Sequence, residues 1–339
     1  MTAASDVELF PDRNTSSTRS RIILVAAIAL AALLLYLSLR KLDWREVWRA
    51  IAACRLPLLG VTLVISFGAY FLRGLRWRVL LNTQAKLPVL RVFWANTAGY
   101  LGNNVLPARA GELIRTAMVS SQSGLSKTFV LTTALAERLM DAIVLIIAGT
   151  VVLHVVPNKP DWLDRVSTPL LFVATVAGLA LLLMPLFEQT ARKLAAKLPF
   201  SEKLRQRLAG MIEHIADGVR SFHDPVSFLQ FALLTFGIWS LDAYATVILA
   251  KAMGLQMSIL VALLLIVGLA MGSALPSTPG YIGIYQFVAV TVLTPFHFTR
   301  EQAIAFILIA QANGLVVTAI LGSIGLLQYR RMGKPRLNS

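Results

Sequence analysis

Four acidic and three basic residues stand inside otherwise apolar stretches of this sequence, where each charge costs about 2.5–3.5 kcal/mol to insert in a bilayer. Arg109, Glu112 and Arg115 follow the Leu-Pro break within the interrupted segment NNVLPARAGELIR at 103–115. Glu112 and Arg115 are three residues apart and can pair on one helical face. Glu137 and Asp141 lie four apart on one face of LAERLMDAI, with Arg138 beside them, and Asp242 stands alone in GIWSLDAYATV. Asn103, Asn104, Gln286, Gln311 and Asn313 add neutral polar groups. Guanidinium groups in a dry cavity suit phosphate, because they fork onto its oxygens. Asn103, Asn104, Arg109, Glu112, Arg115, Arg138 and Gln286 are therefore candidate substrate-binding residues. The carboxylates Glu137, Asp141 and Asp242 could carry coupling protons or simply hold the arginines in place. A purely structural reading also stands, in which Glu137 or Asp141 neutralises Arg109 or Arg138 and nothing binds. Enzyme chemistry finds less support. No nucleophile has a base beside it. The four histidines (His154, His214, His223, His297) and the lone Cys54 have no metal-ligand spacing. No catalytic residue, metal or cofactor is assigned.

The elements that must position these groups are membrane helices. Hydrophobic residues make up 57% of the 339 and charged ones only 14%, where a soluble domain carries about a quarter charged. Apolar runs near the roughly 20 residues that cross a bilayer recur along the chain. Full spans are expected at 22–39, 58–72, 128–152, 168–187, 226–250 and 303–327. DWREVWRAIAACR, at 43–55, has its apolar residues at helical spacing and reads as an amphipathic interfacial helix. Lys and Arg exceed Asp and Glu by 32 to 17. No basic stretch is interleaved with aromatics as single-strand binding needs, so the excess reads as cytoplasmic flanks against anionic lipid, not as a nucleic-acid site. The expected organisation is a disordered cytoplasmic tail at 1–20, one integral membrane domain at 21–328 and a basic cytoplasmic tail at 329–339. Arg73, Arg76 and Arg78 read as headgroup anchors, and Trp44, Trp48, Trp77 and Trp94 as interface-belt residues.

Two further apolar segments are broken. Leu106-Pro107-Ala108-Arg109-Ala110-Gly111 and Leu275-Pro276-Ser277-Thr278-Pro279-Gly280 share the pattern L-P-x-x-x-G. Proline removes a backbone donor, and glycine lets the chain turn sharply. Pro107, Gly111, Pro276, Pro279, Gly280 and Gly283 are the expected breaks. If each broken segment returns to its own side, the basic residues fall mostly on the cytoplasmic side with both termini inside, and the hairpins enter from opposite faces. Two similar interrupted helices of opposite orientation point to an inverted-repeat transporter. Breaks at membrane depth persist only inside protein or beside water, so they should meet at a cavity. The fold expected is an all-α polytopic membrane protein: about six full transmembrane helices plus two re-entrant, broken hairpins in an inverted repeat. Gly268 and Gly272 form a GxxxG pair read as helix packing.

GNNVLPARAGELIR, GLSK and ERLMD in the first half, with LPSTPGYIG followed by a glutamine in the second, closely resemble the flippase-like membrane family that includes the transmembrane region of lysylphosphatidylglycerol synthases. The resemblance covers about residues 20–330. It implies a lipid-handling helical domain of the cytoplasmic membrane. Its substrate would be an anionic, phosphate-bearing lipid: an aminoacylated phospholipid, or a polyprenyl-phosphate-linked or glycolipid. The arginine and acids of the family's first motif fall on Arg109, Glu112, Glu137, Arg138 and Asp141. Gln286 departs from the glutamate usual in the second motif, and Gln311 stands where an arginine is expected. The chain ends at Ser339, so a soluble aminoacyl-transfer domain is not expected. The partners expected are membrane lipids, with a homo-oligomer or a lipid-modifying enzyme as possible protein partners. The alternatives to a flippase are an intramembrane enzyme or subunit acting on a lipid-linked substrate, and a small-solute transporter with a closed polar cavity.

Overall fold

The computed structural model describes residues 16–106, 110–155, 165, 169, 171–173, 175–176, 222, 224–274 and 279–331. Among them every regular element is helical: α1 (Ser16–Leu39), α2 (Trp44–Ala52), α3 (Leu56–Leu81), α4 (Val89–Val105), α5 (Gly111–Ser123), α6 (Lys127–Val155), α7 (Pro225–Ala252), α8 (Ile259–Ala274), α9 (Ile284–Leu293) and α10 (Arg300–Arg331). Four of these, α3, α6, α7 and α10, are long and apolar enough to cross a membrane. The span expected at 22–39 lies within α1. The one at 168–187 falls almost entirely outside the described residues, as do the 188–224 connection and the segments 1–15 and 332–339.

Several boundaries move. α1 begins at Ser16, inside the stretch read as a disordered tail, and α10 runs to Arg331. Neither extension, 16–20 or 329–331, contains a glycine or proline, and helical hydrogen bonding does not require apolar side chains outside the hydrocarbon. The larger change is α3, which continues to Leu81 instead of stopping at residue 72. A hydropathy argument ends the span at Arg73, yet the helix carries Arg73, Arg76 and Trp77 into the interior because carboxylates on α6 and α7 meet the arginines there.

Local chemistry sets the starts of the shorter elements. Asp43 caps α2, its carboxylate accepting from the Arg45 backbone N–H at 2.8 Å. The apolar side of α2 buries Val47 against the first turns of α10 while Trp44 and Trp48 stay exposed, as an interfacial helix requires. Asp224 caps α7 through the Ser227 N–H at 2.9 Å, a bond that holds its carboxyl below the ordinary aspartate range.

Packing builds two hairpins, α4 with α5 and α8 with α9, and sets α4 against the short turn Pro279–Tyr281 of the second hairpin. In the second hairpin Gly280 and Gly283 take positive φ, 70° and 92°, as the expected breaks require. Gly111 plays a different part. Its φ is not left-handed; it opens α5 where a Cβ would fall on the Gly99 carbonyl oxygen and the Asn103 amide. Close approach of two helices, not a sharp turn, demands glycine there. Gly268 and Gly272 likewise admit Val288, Val292 and Ile284 of α9. Gly111→Ala should separate α4 from α5 at a cost of about 1–3 kcal/mol or more. The readout is a lower melting temperature and lower yield of detergent-extracted protein, and an unchanged melting curve would refute the close-contact role.

Candidate functional site

Among the described residues the interior of the bundle holds four arginines and four carboxylates, and their bonding divides them. Arg76 is completely engaged. Its Nε and Nη2 donate to Glu137 Oε1 at 3.2 and 2.9 Å, its Nη1 and Nη2 to Asp141 at 2.6 and 2.8 Å, and Nη1 also to Thr235 at 3.2 Å. A guanidinium has five N–H donors, so none is left over. Arg115 is nearly as full. It donates to Glu112 Oε2 at 2.5 Å, Asn96 Oδ1 at 2.7 Å, Glu137 Oε2 at 3.0 Å and the Ala134 carbonyl at 3.5 Å. Both side chains are 1% exposed, with Arg115 over the Trp77 ring and Arg76 over Phe231. Glu137 bridges the two arginines and is itself fully buried. This is a clamp holding α3, α5 and α6 together.

Arg138 and Arg73 are placed otherwise. Arg138 is 33% exposed, donates through Nε to Glu112 Oε1 at 3.1 Å and reaches Asp141 only at 3.9 Å. Arg73 donates through Nη2 to Asp242 Oδ2 at 2.5 Å. Each lies over a tyrosine, Arg138 over Tyr100 and Arg73 over Tyr70, and the two rings meet edge to face 5.1 Å apart. Both arginines retain donors with no partner among the described residues, and both line a cavity of about 1220 Å³. Its polar wall also carries Asn103, Asn104, Glu112 and Asp242, while much of the remaining surface is aliphatic, from residues such as Leu145, Ile266 and Leu269.

The candidates named from sequence therefore separate. Glu112, Arg138, Asp141 and Asp242 reach the cavity. Arg115, expected to bind substrate, is sealed in the clamp because Glu112, Glu137 and Asn96 surround it. Asn103 donates weakly to Glu112 at 3.4 Å, and Asn104 bonds Thr318 at 2.8 Å. Gln286 borders the cavity with both amide atoms occupied. Its Oε1 accepts from the Gly283 N–H at 2.8 Å and its Nε2 donates to Gln311 at 2.6 Å, while Gln311 donates in turn to the Gly280 carbonyl at 2.8 Å. That pair staples the glycine turn. Arg109, Pro107 and Pro276 lie outside the described residues. Pro279 begins the short turn of the second hairpin.

Arg73 and Arg76 are interior residues, not headgroup anchors, and Trp77 is buried, donating to Thr133 at 3.2 Å, instead of lying in an interface belt. The available signal was their spacing: positions 73, 76 and 77 share one helical face, opposite more intramembrane carboxylates than the assigned arginines could neutralise.

Apolar helices of membrane-crossing length, packed around paired charges and a cavity lined by both polar and aliphatic side chains, define a multi-pass membrane protein. The chain belongs to the family described as the lysylphosphatidylglycerol synthase TM region, which matches residues 24–322. It is also similar to the "Glycosyltransferase AglD" of Haloferax volcanii, with 23% identity over 348 aligned positions that cover 90% of this chain and 54% of that protein. The chain thus spans about half the length of that relative.

Proposed function

We propose that this protein translocates an anionic, phosphate-bearing lipid across the cytoplasmic membrane, with both termini on the cytoplasmic side. The observation that carries the reading is the cavity with two under-used guanidiniums on one wall and aliphatic side chains over much of the rest. The phosphate is assigned to Arg138, with Arg109 supplying a further positive charge at the first break, and the acyl chains to the aliphatic side. Arg73, Arg76, Arg115 and Arg138 are balanced by Glu112, Glu137, Asp141 and Asp242. A bundle interior whose described charges cancel in this way favours a monoanionic phosphodiester over a multiply charged headgroup. The two hairpins support an inverted-repeat mechanism. Each pairs two short helices around a Pro/Gly break, and α4 of the first touches the turn of the second, which is where a site at a repeat interface belongs.

The test is purified protein in liposomes containing a headgroup-labelled anionic phospholipid. The proportion of label accessible from outside is followed with time, and the lipid is recovered for mass analysis. Transfer between leaflets with unchanged mass is the expected result. A new lipid mass would replace this reading with the intramembrane-enzyme one, which the similarity to a glycosyltransferase of Haloferax volcanii supports.

A further inference from the structure

We infer that Arg73, Trp239 and Asp242 form a second headgroup subsite that takes hydroxyl groups, those of a polyol or sugar moiety adjoining the phosphate. The inference rests on the cavity being a lipid-headgroup site. Arg73 on α3 and Asp242 on α7 are joined at the cavity wall, 15% and 23% exposed. The Arg73 guanidinium lies 5.3 Å from the Tyr70 ring centre and 5.9 Å from that of Trp239. Two rings and a carboxylate thus fix the plane of the guanidinium. Trp239 lines the same cavity, and its indole Nε1 is buried with no hydrogen-bond partner among the described residues. The Tyr100 hydroxyl, beside Tyr70, is in the same condition. A buried donor without an acceptor is costly, and natural proteins rarely leave one without a reason.

The chemistry of this wall selects among ligands. Asp242 only accepts; Arg73 and the indole only donate; the phenol does either. A phosphate oxygen can only accept, and here it would meet the charge of Asp242, which among the described residues pairs with Arg73 alone, whereas Glu112 beside Arg138 is already shared between two arginines. An ammonium can only donate, and it would meet Arg73 with like charge. A hydroxyl donates to Asp242 while accepting from Arg73 or Trp239, is uncharged, and leaves C–H faces to lie against the rings. Phosphate belongs at Arg138, and hydroxyls belong here.

The experiment compares two lipids of equal charge in nanodiscs, phosphatidylglycerol and phosphatidylpropanol, which share the phosphodiester and differ by two hydroxyls. Wild-type protein should prefer phosphatidylglycerol by about threefold to tenfold for each hydroxyl bond made. Trp239→Phe keeps the ring and removes the N–H, and should bring the preference toward unity by weakening phosphatidylglycerol alone. Asp242→Asn, which keeps an acceptor oxygen for Arg73 but loses the charge, should lower the preference in the same direction. Soluble glycerol 3-phosphate should fail to displace the lipid at equal concentration; displacement as strong as the lipid's own binding would overturn the lipid assignment. If Trp239→Phe weakens both lipids equally or neither, while Arg138→Gln still weakens both, the hydroxyl subsite is wrong and the phosphate site stands. If wild type binds neither lipid, the translocation reading itself falls.

Discussion

Arg138→Gln is expected to reduce lipid translocation by at least about tenfold while the protein still inserts, folds and extracts at wild-type yield. Hydrogen bonds to a charged group contribute about 1.5–3 kcal/mol, or roughly tenfold to 150-fold in affinity, and the developing contact with a moving phosphate draws on that whole difference. The fold should tolerate the change because of how Arg138 is held. It is the most exposed of the four interior arginines, and its carboxylate partner Glu112 keeps the Arg115 bond when Arg138 is gone. No fully buried charge is orphaned. Arg138→Lys should fall between the two, since an ammonium retains charge but loses the fork. Arg115→Gln, at 1% exposure and four hydrogen bonds, should fail differently, by loss of folded protein. Translocation in Arg138→Gln at the wild-type rate would remove the phosphate assignment.

The contrast between those two arginines explains what could be seen in the sequence and what could not. Composition and apolar runs made the helical membrane class legible, and Pro/Gly punctuation marked where α4 gives way to α5 and α8 to α9, because both signals are local. Glu112, Glu137, Arg138 and Asp141 stood out since charge inside an apolar run is visible residue by residue. Which of them faces a cavity is not local. Arg115 and Arg138 carry the same group and share the partner Glu112, and only their other tertiary contacts make one a structural tie and the other a free hand. Arg76 reads from sequence as a headgroup anchor for the same reason. It lies past the charge that ends the apolar run at Arg73, and the five hydrogen bonds it donates to Glu137, Asp141 and Thr235 carry it through the interior. Gly111 was found as a special position with the wrong cause attached, because a sequence does not say whether a glycine serves a turn or a contact across helices.

Glu137 should prove the residue on which the fold depends most. Its two oxygens divide between two arginines, Oε1 accepting from Arg76 and Oε2 from Arg115, and its side chain has no exposure at all. Removing one member of a buried pair typically costs about 3–5 kcal/mol, chiefly because the partner's charge is stranded, and here two partners are affected. Glu137→Gln should therefore lower the melting temperature sharply and cut the yield of extracted protein. Asp242→Asn, whose partner sits at the cavity wall, should be mild in the same assay. The physical cause can be isolated with a cycle. If stranded charge is the main cost, Glu137→Met combined with Arg115→Met removes one charge of each sign and leaves the bidentate Arg76–Asp141 pair intact. The double variant should then be more stable than the sum of the single losses predicts, by about 0.5–3 kcal/mol of coupling. Strict additivity would mean that Glu137 is not the hub that joins α3 and α5 through α6, and that the clamp draws its strength from Asp141 and the helix packing around it instead.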